Sequence, residues 1–280
     1  MKLLPLVALA AVVAIPFTST HAAGDPALEA AVHGDWRSAK DTARDAYRHP
    51  VEALTFWGLK PGMTILEVQP GGGWWTEILA PYAKATGGRY YSTAADLANP
   101  ELSERSKKAR ADFAARWAAN PQRYGELQYV NWGPKSAPLP ASTFDFILTA
   151  RSVHNWMDTP GWVEKNFADF FQALKHGGVL AVEEHRANPG GAAEKPETGY
   201  VSEAFVIAAA EKAGFKLAGR SEINANPKDT KDHPFGVWTL PPTLTSVPEG
   251  SSAPEDPKFD HSKYIAIGES DRMTLRFVKP

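Results

Sequence analysis

Two short stretches of this chain gather side chains able to move protons and hold anions. "ARSVHNWM" supplies Arg151, His154 and Asn155, and "EEHR" supplies Glu184, His185 and Arg186. Each closes a run of strand type, "FDFILTA" and "VLAVEE". If those strands are neighbours in a parallel sheet, their ends open on one crevice. Imidazole titrates near neutral pH, so His154 or His185 suits a general base. Arg151 and Arg186 offer forked donors to a carboxylate or phosphate. Tyr200, in "TGY" just beyond, is a further candidate for the same cleft. A lone loop histidine is more often structural, so the argument rests on the gathering.

The same residues admit a different chemistry. His154, His185 and Glu184 are metal-ligand types, and Asp229, Asp232 or His233 from a later segment could complete a set. No tight His-x-His or HExxH spacing supports that reading. A third reading is a cleft that binds a ligand without chemistry.

A glycine run precedes these stretches, in "ILEVQPGGGWWTEIL". Gly71, Gly72 and Gly73 let backbone approach a ligand closely, and the helix that follows offers free N–H groups and a positive dipole end. No Lys-Ser/Thr pair follows, as a P-loop would require. Glu67 before the glycines opposes an anion and suits a cationic ligand or an amine.

The elements that must position these residues alternate. Strand runs are "TILEV", "RYYST", "LQYV", "FDFILTA", "VLAVEE", one from Phe215 and a last "TLRFV". Helical patterns lie between them: one carrying Trp74, Trp75, Ile78, Leu79 and Tyr82, one opened by Asn99-Pro100 and running to about Asn120, one opened by Thr159-Pro160 and ended by "KHGG", and one capped by Ser202 and closed by Gly214. A charged helical lead-in, broken by Pro50, occupies residues 24–60. This rhythm implies a mainly parallel sheet covered on both faces, in one domain over residues 24–280. Between residues 223 and 270 the rhythm stops. The first half of that insertion is expected to close over His154 and His185, and Pro248 to Pro257 to stay loose on the surface.

The motifs in this order resemble those of the class I S-adenosylmethionine-dependent methyltransferases, over most of the chain from about Asp41, and more closely an exported branch of them. The glycine loop stands at that family's cofactor turn, "LPASTFDFILTARSVHNWM" at its fourth strand and "LKHGGVLAVEEHR" at its fifth. The resemblance implies a Rossmann-like, doubly wound sheet of seven strands with the last antiparallel. It implies S-adenosylmethionine as cofactor, held by Glu67, Gln69, Gly71, Gly72 and Gly73 with Asn155. His154, His185, Arg151 and Tyr200 would then serve the acceptor. Gln69 stands where the family has its first glycine, and the second strand lacks the family's acidic residue at its end, Asp96 coming late. The fourth strand does not carry the Asn-Pro-Pro-Tyr motif of amino-directed nucleic-acid enzymes, so a small-molecule acceptor fits better.

Composition agrees. A net charge of -2 over 280 residues gives no reason to expect nucleic acid or an anionic membrane as partner. The basic cluster "ERSKKARADFAARW" is interspersed with acids and reads as a solvated helix face. Lys2, the apolar run Leu3 to Ile15 and the small residues around Ala22 read as an export signal, residues 1–23, too short to favour a lasting membrane span. The chain has no Cys, which suits a periplasm without requiring one. N-terminal sequencing of cell-envelope protein is expected to find a start at Ala23 or Gly24. An intact Met1 in cytoplasmic material would refute export.

Overall fold

The β-branched run Thr64–Val68 (β1) is flanked by two parallel partners, Arg89–Ala95 (β2) and Phe144–Ala150 (β4). Gln128–Trp132 (β3) continues the sheet beyond β2, and Leu174–His185 (β5) beyond β4. The last strand, Arg272–Val278 (β7), runs antiparallel between β5 and Lys216–Ser221 (β6), giving the order β3-β2-β1-β4-β5-β7-β6. This is the doubly wound sheet that the alternation and the resemblance imply. The computed structural model describes residues 24–190 and 196–280, so the expected export signal, residues 1–23, lies outside the described residues. Among them, no helix is long and apolar enough to cross a membrane.

Successive strand residues point to opposite faces, and both faces are buried. Ile65, Phe146 and Leu148 pack with Leu54, Trp57, Trp75 and Ile78, whereas Leu66, Val68 and Ile147 pack with Trp156, Phe167 and Phe170. The helix Trp162–Ala173 buries Val163, Phe167 and Phe170 at helical spacing. Strand order reverses between β1 and β4, each with neighbours on opposite sides. The crevice beyond their carboxyl ends is therefore the place for a ligand.

Several boundaries differ from expectation. Pro50 does not break the lead-in but starts the helix Pro50–Trp57, at a position where its missing N–H costs nothing. The helix expected at Asn99-Pro100 begins at Glu104, because Ser103 caps it, its Oγ accepting from Ser106 N at 3.1 Å. The helix after Thr159-Pro160 begins at Trp162. Residues Lys175 to Gly178 belong to β5, where a register shift between Phe144 and Phe146 absorbs them.

The insertion is folded rather than open. Asn226 donates from Nδ2 to the carbonyls of Glu269 (2.7 Å) and Ile267 (3.0 Å) and from its backbone N to Asp271 (2.9 Å), tying the insertion's start to its end. Asp229 is buried and accepts from Tyr200 Oη, His233 Nε2 and the N–H of Asp271. From 248 to 257 the chain is exposed, as expected, yet Glu255 holds the hydroxyls of Thr245 and Ser246.

Gly73 lies at φ +83°, and a Cβ there would sit 2.3 Å from the Trp117 ring. Gly72 would meet nothing within 4 Å. Gly73→Ala is expected to cost about 1–3 kcal/mol by overpacking and strain, and Gly72→Ala less than about 0.5 kcal/mol. Urea denaturation of the two variants checks the contrast, and equal losses would contradict it.

Candidate active site

A cavity of about 490 Å³ opens at the carboxyl ends of β1, β4 and β5. Its walls include Glu67, Gly71, Gly72, Arg151, His154, Asn155 and His185, which bears out the expectation that the loop and both strand ends face one cleft. Trp238 roofs it, with its ring 5.9 Å from that of His154, as expected of a covering segment. Asn226 lies outside the lining and serves as the segment's anchor. Glu249, from the stretch expected to be loose, also lines the cavity.

The glycine loop leaves room on this side. A Cβ on Gly71 or Gly72 would meet open space, and Arg116 Nη1 fixes the Gly72 carbonyl at 2.7 Å. Gln69 keeps the conformation a glycine would take, at φ +48°. Two bonds hold it there: its N–H to Thr93 Oγ1 (2.8 Å), and Oε1 accepting from Trp156 Nε1 (2.8 Å). The side chain is thereby fixed away from free rotation over the loop.

Glu67 is buried, and burial pushes its carboxyl up to about 7 although Tyr90 and Thr76 donate to it. Both hydroxyls converge on Oε2, at 2.6 and 2.8 Å. A cationic group brought to this carboxylate would restore its charge.

The two histidines are held differently. Glu184, fully buried, accepts three N–H groups: Val153 N at 2.6 Å, His185 N at 2.8 Å and His154 Nδ1 at 3.0 Å. With its Nδ1 proton given to Glu184, neutral His154 carries its lone pair on Nε2. Burial disfavours the charged ring, but the Glu184 charge and hydrogen bond outweigh it and hold His154 above its ordinary value. His185 bonds through Nδ1 to Ser270 Oγ at 2.5 Å. Burial, then the positive charges of His154 and nearby arginines, push it well below its ordinary value, so it stays neutral.

Other candidates fall elsewhere. Tyr200 is not part of the cavity wall, because its hydroxyl is spent on both oxygens of Asp229 at 3.0 Å. Arg186 is likewise spent on Glu222 and Asp271. Among the described residues one cluster has metal-ligand proximity, His154, Glu184 and His185, with donor atoms within 4.8 Å of one another. Asp229 and His233 pair with each other instead of joining it. Glu184, whose oxygens already take three N–H groups, has its capacity largely used.

A second cavity, of about 1200 Å³, shares Gln69 with the first and runs past Thr93, Asp96, Asn131 and Trp132. The second strand extends to Ala95, so Asp96 follows it directly rather than coming late. Ending β2 at Thr93 is what made this acid come late. Arg44 and Glu269, on the wall of the first cavity, were missed. Nothing in a charged helical lead-in marks one arginine as inward-facing.

No family model matches this chain, and no curated protein matches it in sequence. Its fold is similar to that of solved structures. The cyclase SpnF is 15% identical with a TM-score of 0.50, over 89% of this chain and 83% of that one. A SAM-dependent methyltransferase from Aquifex aeolicus is 22% identical with a TM-score of 0.48, over 65% and 87%. The 1,6-didemethyltoxoflavin-N1-methyltransferase of Burkholderia thailandensis, with bound 1,6-didemethyltoxoflavin and S-adenosylhomocysteine, is 14% identical with a TM-score of 0.46, over 84% and 77%. At these identities the likeness is one of fold, and fold does not fix activity.

Because Glu67 binds protons more tightly when folded, it subtracts stability as pH rises from about 4.5 through about 7. Above that range the rise to about 7 corresponds to a loss of about 3 kcal/mol at most. Glu67→Gln removes the slope. Its stability relative to wild type is expected to grow between pH 5 and pH 8 in chemical denaturation. A pH-independent difference would contradict the raised carboxyl.

Proposed function

We propose that this protein is an S-adenosylmethionine-dependent methyltransferase acting on a small-molecule acceptor. The observation that carries the reading is one cavity holding both an open glycine turn and a histidine whose Nδ1 is fixed by a buried carboxylate. The residues present fit an adenosyl amino acid. Gly71 and Gly72 leave space beside the loop, Glu67 offers a carboxylate to an ammonium, and Asp96, at the end of β2, offers one to ribose hydroxyls. When bound, S-adenosylmethionine supplies a methyl group on a sulfonium, ready for in-line displacement.

The chain's own residues supply alignment and a base. His154 Nε2 takes the proton of an acceptor O–H or N–H, and Glu184 stabilises the imidazolium that results. Neutral His185 beside it offers a polar partner without competing for that proton. Trp238 and the segment around it limit water at the reacting atoms. The apolar run Leu3 to Ile15 supports placing this activity outside the cytoplasm, in a periplasm.

Calorimetry with S-adenosylmethionine and S-adenosylhomocysteine on residues 24–280 tests the reading. Binding is expected in wild type, abolished in Gly71→Val and weakened by about 1–3 kcal/mol in Glu67→Ala. His154→Ala is expected to bind the cofactor as wild type does, since it acts on the acceptor. Silence at millimolar cofactor would leave a fold without this activity.

A further inference from the structure

Beneath the cavity, on the side of the lead-in helices, lies a group of guanidinium side chains with too few carboxylates, Arg48 and Arg272 buried and Arg44 and Arg151 half-buried. Arg44 and Arg48 donate through Nε to the two oxygens of Glu269, at 2.6 and 2.9 Å. Arg272 lies 3.2 Å from the same carboxylate and 2.7 Å from Glu183. Arg151 joins them at the end of β4, held at φ +56° by its N–H bond to the Glu183 carbonyl (2.7 Å). Four cations therefore share two carboxylates, Glu183 and Glu269. The depressed carboxyl of Glu269, down to about 2 despite its burial, reflects that excess.

The remaining acids of the cavity do not cancel it. Glu67 is held by Tyr90 and Thr76 and is raised to about 7, Glu249 faces His154, and Asp41 accepts the Ser38 hydroxyl. Meanwhile Arg44 Nη2, Arg48 Nη1 and Nη2, and Arg151 Nε are buried with no hydrogen-bond partner among the described residues; both oxygens of Glu183 are also without one, but four unpaired nitrogens on three cations outnumber them. Arg48 rests its guanidinium on the Trp74 ring at 4.6 Å, but a ring face accepts weakly. Buried donors left without acceptors, beside a cavity that two of these residues line, call for an anion.

We propose that Arg44 and Arg151, backed by the charge of Arg48, form an oxyanion subsite of this cavity, and that the methyl acceptor carries a carboxylate or phosphate group that docks there. Identifying the ligand as the acceptor rests on the reading of the cavity given above. The subsite itself does not. Placed on the Arg151 side, an anionic group would hold the acceptor by one end, leaving its O–H or N–H to the base. Arginine suits this role because its fork gives direction as well as charge.

The test uses inorganic phosphate as the probe, titrated calorimetrically into residues 24–280 at constant ionic strength in sodium chloride, without cofactor. Saturable binding is expected, with at least a tenfold loss in Arg44→Gln and Arg151→Gln. Arg151→Lys, which keeps the charge opposite Glu183, covers the case in which a neutral variant fails to fold, and should bind several-fold more weakly than wild type. Absence of saturable binding, or equal binding in the lysine variant, overturns the subsite. A second arm separates the acceptor from the cofactor's own carboxylate. If phosphate leaves the affinity for both S-adenosylhomocysteine and 5′-methylthioadenosine unchanged, the subsite belongs to the acceptor. If it competes with S-adenosylhomocysteine but not with methylthioadenosine, which lacks the amino-acid end, the acceptor assignment is overturned. Because the phosphate titration needs no cofactor, a failure of cofactor binding would leave its outcome legible.

Discussion

Glu184 is the constraint on which the site depends. A fully buried carboxylate is stable only when its oxygens are satisfied, and here three N–H groups from two adjacent strand ends do so. The bond to Val153 N fixes the turn after β4, the bond to His185 N fixes the end of β5, and the bond to His154 sets the tautomer of the ring. Removing the carboxylate would leave three buried donors without acceptors. The sheet brings the two strands side by side, but Glu184 locks their ends into one wall.

From that lock follows an asymmetry between two histidines whose rings are 5.4 Å apart. One is joined to a negative partner and favours its proton, whereas burial and several positive charges make the other reject it. Neighbouring groups with opposite tendencies are the usual sign of divided roles in a site. The arginines beneath contribute to the division, since three of them act on His185, whereas at His154 the Glu184 charge outweighs Arg151.

The fold was legible because its signals are local and redundant: short strand runs, most with β-branched or aromatic residues, helices between them and a glycine turn after the first. The strand ends carrying His154 and His185 were legible for the same reason. Parallel neighbours must open on the same side. What the sequence does not mark is which exposed-looking charge turns inward. Arg44 and Arg48 sit in a lead-in rich in charge, and their partner Glu269 lies more than two hundred residues away. Arg186 and Tyr200 were placed in the cleft by nearness along the chain. Their acids, Asp271 and Asp229, come from the position just before the last strand and from the insertion, and they draw both side chains aside.

The covering segment is fastened at both feet. Asn226 binds the carbonyls of Ile267 and Glu269, so the points where the segment leaves and rejoins the sheet are clamped together. Asp229 pins the same segment to Tyr200 and to the N–H of Asp271, which leaves the crown as the part free to bend. Traffic into the chamber therefore depends on bending near Trp238 and Glu249, where Glu255 props the span through Thr245 and Ser246.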